Sequence, residues 1–150
     1  MKVLDRISML LRQKGREIFS IPSDASVYSG IEMMADKRVG ALLVIDDGHL
    51  VGIVSERDYA RKVILQGKSS KDTFIREIMT PSPITIDCDT SVDEAMRMMT
   101  ENRIRHLPVV DSEGHVAGVL SIGDLVKWIV TSQDETIAHL EHYMAGDLYH

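Results

Sequence analysis

Cysteine is almost absent from this chain. Cys88 stands alone among 150 residues, so no disulfide can close within the chain, and a reducing cytoplasm is the expected compartment. No apolar run approaches the roughly 18 residues that a membrane-spanning helix needs. Asp5 and Arg6 fall where a secretory leader would be apolar. Aromatic residues make up only 5% of the chain, and 17 basic residues are outnumbered by 23 acidic ones for a net charge of -6. With few stacking platforms and no basic excess, the sequence argues against a general grip on nucleic acid or on an anionic membrane. The Gly-x-Ser-x-Gly elbow, the phosphate loop and any recognisable Ser-His-Asp or Cys-His grouping are also missing. A hydrolase built on this chain would have to use Asp58 or Asp124 as its base.

What the chain does have is a repeat. At 44% hydrophobic residues it can bury the core of about one domain. The heptapeptide Gly52-Ile53-Val54-Ser55-Glu56-Arg57-Asp58 returns as Gly118-Val119-Leu120-Ser121-Ile122-Gly123-Asp124. Each copy reads as a buried strand running into a Ser-x-x-Asp helix start, with a glycine that would let backbone or ligand approach closely. A strand end meeting a helix N-terminus suits a phosphate or a ribose. The same tetrapeptides also fit a capping box, in which the serine caps the helix and the carboxylate reaches back.

The likeness extends upstream at a constant spacing. Ser20-Ile21 matches Thr85-Ile86, Ser26-Val27 matches Ser91-Val92, Met33-Met34 matches Met98-Met99, and Arg38, Leu42, Val44 and Asp46 match Arg103, Leu107, Val109 and Asp111. One residue is then inserted in the second hairpin turn, Asp111-Ser112-Glu113-Gly114. A register change confined to a loop is the mark of a duplication. The repeating unit reads as strand, helix, strand, strand, helix. Ser26 is an expected N-cap, Asp47-Gly48 an expected hairpin turn, and Gly67 an expected stop for the helix after Ser55. Val3, Ile7, Leu10 and Leu11 form the stripe of an N-terminal amphipathic helix over residues 2–14 that should pack on the body. Ile137, Leu140 and Met144 mark a closing helix from about Asp134. His139 and His142 within it have no third ligand of a suitable type nearby. The expected organisation is an N-terminal helix (1–16), a first repeat (17–67), a linker (68–74), a second repeat (75–131) and a C-terminal helix (132–150).

With the doubled Gly-h-h-Ser-x-x-Asp ends in view, the chain resembles a tandem pair of cystathionine-β-synthase (CBS) domains, a Bateman module. The resemblance covers about Ile18 to Val130, and the Ile78-Met79-Thr80-Pro81 step and the His106-Leu107-Pro108-Val109-Val110-Asp111 strand also look like this family. It implies an α/β fold of two β-α-β-β-α repeats packed about a pseudo-twofold axis. It also implies a regulatory module that binds AMP, ADP, ATP, NAD or another adenosine-containing ligand, with no catalytic cofactor and no metal. Carried over by position, Asp58 and Asp124 would accept hydrogen bonds from ribose hydroxyls, with Ser55 and Ser121 beside ribose or phosphate. Val39, Gly40, Ala41, Leu42, Ile104, Arg105, His106, Leu107 and Pro108 would border the base, together with Ser20, Ile21, Met79, Thr80, Thr85 and Ile86.

Arg57 and Arg61 face Gly123 and Lys127 in the other copy, so the charge available for phosphate is split unevenly; the plain alternative is that these arginines form a solvated helix face. The methionine pairs and Trp128 read as packing residues. The resemblance further implies a separate regulated protein and a homodimer, for which the Val27, Ile31, Met34 and Val92, Met96, Met99 stripes would supply the interface. A nucleotide-dependent enzyme and a binder of single-stranded nucleic acid using the same pockets are the competing readings.

Overall fold

Residues 4–15 and 17–132 are described by the computed structural model. Helix α1 (Ile7–Lys14) leads into a first repeat of β1 (Ser20–Ile21), α2 (Val27–Lys37), β2 (Ala41–Asp46), β3 (His49–Ser55) and α3 (Glu56–Tyr59), which continues as a π-helical turn over Ala60–Ile64. Helix α4 (Ile75–Ile78) and β4 (Thr80–Pro81) lead into the second repeat: β5 (Ile86–Asp87), α5 (Val92–Asn102), β6 (His106–Val110), β7 (Val116–Ser121) and a helix α6 that spans residues 122–132. The first helix starts at Ile7, later than the apolar stripe suggests, and Val3 lies outside the described residues. So do the expected closing helix and its histidines.

Local chemistry sets these boundaries. Ser26 and Ser91 sit in extended backbone and accept hydrogen bonds from the Ser29 and Glu94 N–H groups, capping α2 and α5. Arg38 and Arg103 then end those helices in the left-handed region, at φ 57° and 53°. Asp47 and Gly48, both at positive φ, close the β2–β3 hairpin as a two-residue primed turn requires. In each repeat the first strand runs parallel to the second and the second antiparallel to the third. Strand β4 adds a fourth member to the first sheet through Gly52↔Pro81 and Ile53↔Thr80, with its proline on the edge where a missing N–H costs least.

The two repeats are tied by an exchange. Ile7, Leu10 and Leu11 of α1, which precedes the first repeat, are buried in the core of the second with Ile86, Val92, Ala95, Met99, Leu107, Val109, Leu120 and Leu125. Ile75 and Ile78 of α4, which precedes the second repeat, are buried in the core of the first with Ile21, Val27, Met34, Leu42, Val44, Val54 and Val63. Each such side chain contributes about 1.5–3 kcal/mol when fully buried. The backbone repeats the pattern: the Ile7 N–H donates to the Thr90 carbonyl (2.9 Å) and Val92 N–H to Asp5 (2.8 Å), while Ile75 N–H donates to Ala25 (2.9 Å) and Val27 N–H to Thr73 (2.8 Å). Trp128 reinforces one side, its Nε1 donating to Asp5 Oδ2 at 2.9 Å.

The exchange explains the repeated glycine, and decides which of the two expected neighbours approaches it: the chain itself rather than a ligand. A Cβ on Gly52 would lie 2.5 Å from Met79 Sδ and 3.0 Å from the Thr80 carbonyl oxygen, and one on Gly118 would lie 2.9 Å from Leu11 Cδ2. What approaches is the end of the exchanged helix. The helix stripes expected to serve a dimer are also largely used within the chain, since Val27, Met34, Val92 and Met99 are buried in the two cores. The apolar faces of α2 and α5 cover their own sheets before any second copy is considered.

Gly52→Ala should lower stability by about 1–3 kcal/mol through overpacking, read as a reduced urea midpoint with an unchanged slope. Gly118→Ala should cost less, because the tip of Leu11 can turn away whereas the Thr80 backbone cannot.

Candidate functional site

Two cavities of about 410 and 440 Å³ lie where the repeats meet, and each draws its walls from both. In the first, Ser121 and Asp124 at the start of α6 line the same cavity as Val39, Gly40, Ala41 and Leu42 at the start of β2. In the second, Ser55, Arg57, Asp58 and Arg61 around α3 share a cavity with Ile104 and Arg105, just before β6, and with Thr80. Every Ser-x-x-Asp end is thus paired with the hairpin start of the other repeat. His106, Gly40 and Ile53 line both cavities.

The capping boxes are formed. The Ser55 N–H donates to Asp58 Oδ2 at 2.8 Å and the Asp58 N–H to Ser55 Oγ at 3.3 Å; the Ser121 N–H donates to Asp124 Oδ2 at 2.8 Å and the Asp124 N–H to Ser121 Oγ at 3.1 Å. Capping and ligand binding do not exclude each other here. The cap takes Oδ2 of each carboxylate, leaving Oδ1 outside it, and holds the side chain in one orientation on the cavity wall.

The two carboxylates differ in their cations. Lys14, at the end of α1, places its Nζ 2.6 Å from Asp124 Oδ2 and 2.7 Å from the Val119 carbonyl. Lys62, one turn on from Asp58, stands 3.5 Å from Asp58 Oδ1 and donates to the Ile78 carbonyl at 2.9 Å. The difference begins in the exchanged helices. Pro81 disfavours helix at Thr80, Met79 turns extended, and α4 ends after one turn. Helix α1 has no proline at the matching place and runs on to Gly15, which ends it at φ 97°.

Burial pushes the Asp124 carboxyl up, but the Lys14 ammonium and the Ser121 N–H outweigh it and hold the group below the usual carboxylate range. Burial pulls the His106 imidazole below its ordinary value, Lys14 and Arg105 add to the effect, and Asp124 opposes it. Burial and the two cations both favour the neutral imidazole of His106.

Not every residue carried over from the resemblance reaches a cavity. Ile21, Ile86 and Leu107 point into the cores, Pro108 is buried within β6, and Ser20, at the start of β1, and Thr85, just before β5, are exposed. Met79 packs against the first core at Gly52. One position upstream of Ser20 and Thr85, Phe19 and Ile84 take up wall positions instead. Lys14, Lys37, Arg38 and Arg103 are wall residues that the motif did not contain, and Ile53 and Val119 are wall residues within the two heptapeptides that the resemblance did not assign to the site. Three pairs could have been found from the sequence, since they match across the repeats: Arg38 with Arg103, Ile53 with Val119, and Phe19 with Ile84. Among the described residues no cluster of His, Cys, Asp and Glu could hold a metal ion, and no helix is long and apolar enough to cross a membrane.

Comparison with known proteins follows the same outline. The CBS domain family matches residues 15–64 and 75–131. The chain is 40% identical over 149 residues to the CBS domain-containing protein CBSX3, mitochondrial, of Arabidopsis thaliana, covering 93% of this chain and 72% of that protein. A protein with CBS domains from Burkholderia ambifaria MC40-6 superposes with a TM-score of 0.82 at 46% identity, over 86% of this chain and 96% of that one. The CBS domain pair of protein MJ0100, solved in complex with 5′-methylthioadenosine and S-adenosyl-L-methionine, superposes with a TM-score of 0.77 at 26% identity, over 86% of this chain and 98% of that one.

Lys14→Met should move the Asp124 and His106 titrations upward together, towards their ordinary values, in a carbon-detected NMR titration. The sign for stability follows. Because the folded-state Asp124 carboxyl is held low, its contribution is full above the ordinary carboxylate range near pH 4 and is lost as pH falls through its folded value. The variant should lose a smaller share of its stability in acid. Unmoved titrations would show that Lys14 does not set the field in this cavity.

Proposed function

The chain belongs to the CBS domain family, with two copies of the domain in tandem, and from that premise we propose that it senses an adenosine-containing small molecule in the two clefts between the repeats. Occupancy would be passed to a separate partner protein as a change of shape. The observation that carries this reading is the reciprocal pairing of each Ser-x-x-Asp carboxylate with the hairpin start of the opposite repeat around a cavity. A carboxylate fixed by its cap offers the adjacent hydroxyls of a ribose charge-assisted acceptor bonds, each of roughly 1.5–3 kcal/mol when shielded from water. The apolar rims at Val39 and Ile104 suit a purine face. The MJ0100 complex, with two adenosine derivatives on the same fold, supports the ligand class. AMP, ADP, ATP, NAD and S-adenosylmethionine all carry the group that these residues would read.

We also propose a homodimer. Its support is the set of apolar residues left outside on the helices that follow each Ser-x-x-Asp: Ile64 (57% exposed) and Leu65 (77%) in the first repeat, Val126 (46%) and Val130 (49%) in the second. Paired across two copies, these residues would leave water. The lone Cys88 supports a reducing compartment such as the cytoplasm.

Asp58→Asn and Asp124→Asn keep the shape of each cap while removing the charge. Calorimetry should show a loss of roughly 1–3 kcal/mol, or about fivefold to over a hundredfold, for the adenosine ligand of the altered cleft, with little change in the melting temperature of free Asp58→Asn and a lower one for free Asp124→Asn, which also gives up the Lys14 ion pair. Unchanged affinity in both variants would reduce the two pairs to caps. Light scattering at micromolar concentration should give the mass of a dimer, and Leu65→Glu with Val130→Glu should return that of a monomer.

A further inference from the structure

We propose that the two clefts sort adenosine ligands by charge. The Asp58 cleft takes nucleoside di- and triphosphates, and the Asp124 cleft takes adenosine compounds whose 5′ substituent is uncharged or zwitterionic. This rests on the adenosine reading above and goes beyond it by giving each cleft a ligand class.

Four guanidinium groups, Arg57, Arg61, Arg103 and Arg105, line the Asp58 cavity, against Glu56 and Asp58 as its acids. They come from two distant parts of the chain, α3 with the π-helical turn that continues it, and the turn between α5 and β6. None is in an ion pair among those found between the described residues. A guanidinium fork matches the oxygens of phosphate, and four around one cavity suit a chain of phosphates.

The Asp124 cavity has lost three of the four. Gly123 stands where the first repeat has Arg57, and Gly40 where the second has Arg105. The third counterpart, Lys127, is present but walled off: it lines a separate cavity of about 270 Å³ with Leu10, Gln13, Trp128 and Thr131. Lys14 and Asp124 line both that cavity and the cleft, so the ion pair delivered by α1 stands between Lys127 and the adenosine cleft. In the Asp58 cleft the exchanged helix stops at Ile78, short of Pro81, and Arg61 stays on the wall. Of the cations left at the Asp124 cleft, Lys14 is engaged by Asp124 and Lys37 sits 5.6 Å over the Phe19 ring. Arg38 remains, with Glu17 to offset it.

The test is calorimetry with two probes, ATP and 5′-methylthioadenosine, on the unaltered protein and on Asp58→Asn, Asp124→Asn and Arg57→Gln with Arg61→Gln. ATP affinity should fall about tenfold or more in Asp58→Asn and in the arginine double variant, and change less than about twofold in Asp124→Asn. Methylthioadenosine should show the reverse: weakened by Asp124→Asn and untouched by the arginine changes. Arg103→Gly guards against a folding artefact, because glycine relaxes a left-handed position. It should raise the melting temperature while weakening ATP several-fold. If both probes bind but each loses equally in Asp58→Asn and Asp124→Asn, or ATP ignores the arginines, the sorting is wrong and the adenosine reading stands. If neither probe binds the unaltered protein, both readings fall.

Discussion

The contact on which the rest of this structure depends is the seating of each lead helix in the core of the opposite repeat. Neither sheet with its own helix closes a core by itself. Leu11 presses on Gly118 and Met79 on Gly52, and the bridging backbone bonds at Thr90 and Ala25 fix the angle of entry. Because the helices cross over, the repeats cannot separate without exposing Ile7, Leu10, Leu11, Ile75 and Ile78. The clefts are a consequence: crossing the lead helices brings the Ser-x-x-Asp end of one repeat against the hairpin start of the other.

Within that frame, the aspartates of the duplicated motif do two jobs. Each closes a capping box with its Oδ2 and stands on a cavity wall. A cap of this type contributes about 1 kcal/mol, and it also removes the rotamer freedom that a ligand would otherwise have to freeze out. The asymmetry between the clefts comes from a small covalent difference. Pro81 ends one lead helix after a turn, and its absence at the matching place lets the other run on to Lys14. That extra length puts an ammonium on Asp124, lowers the Asp124 carboxyl against its burial, adds to the burial that lowers the His106 imidazole, and separates Lys127 from the cavity. His106, shared by both walls, stands where the two electrostatic environments meet.

Much of this was open to reading in the order of the residues. The duplication, the caps at Ser26 and Ser91, the Asp47-Gly48 turn and the capping boxes all depend on residues within a few positions of one another, where steric preference and local hydrogen bonding dominate. The α/β class and the likeness to CBS pairs followed from the same short patterns, repeated in order. The length of α1 was overestimated because an apolar stripe does not by itself show where a helix begins.

Which side chains meet across the repeats was decided only by packing. Alternation along β1, β5 and β6 turned Ile21, Ile86 and Leu107 into the cores, and the glycine approached by Met79 or Leu11 looks in sequence like one that could equally be left open for a ligand. Lys14 lies 110 positions from Asp124, and no local pattern joins them. The convergence of Arg57 and Arg61 with Arg103 and Arg105 is of the same kind. The sequence determined the units and their ends, because those are set by neighbours along the chain. The tertiary structure decided the walls of the clefts and their charge, because those are set by elements that touch only after the two lead helices have crossed.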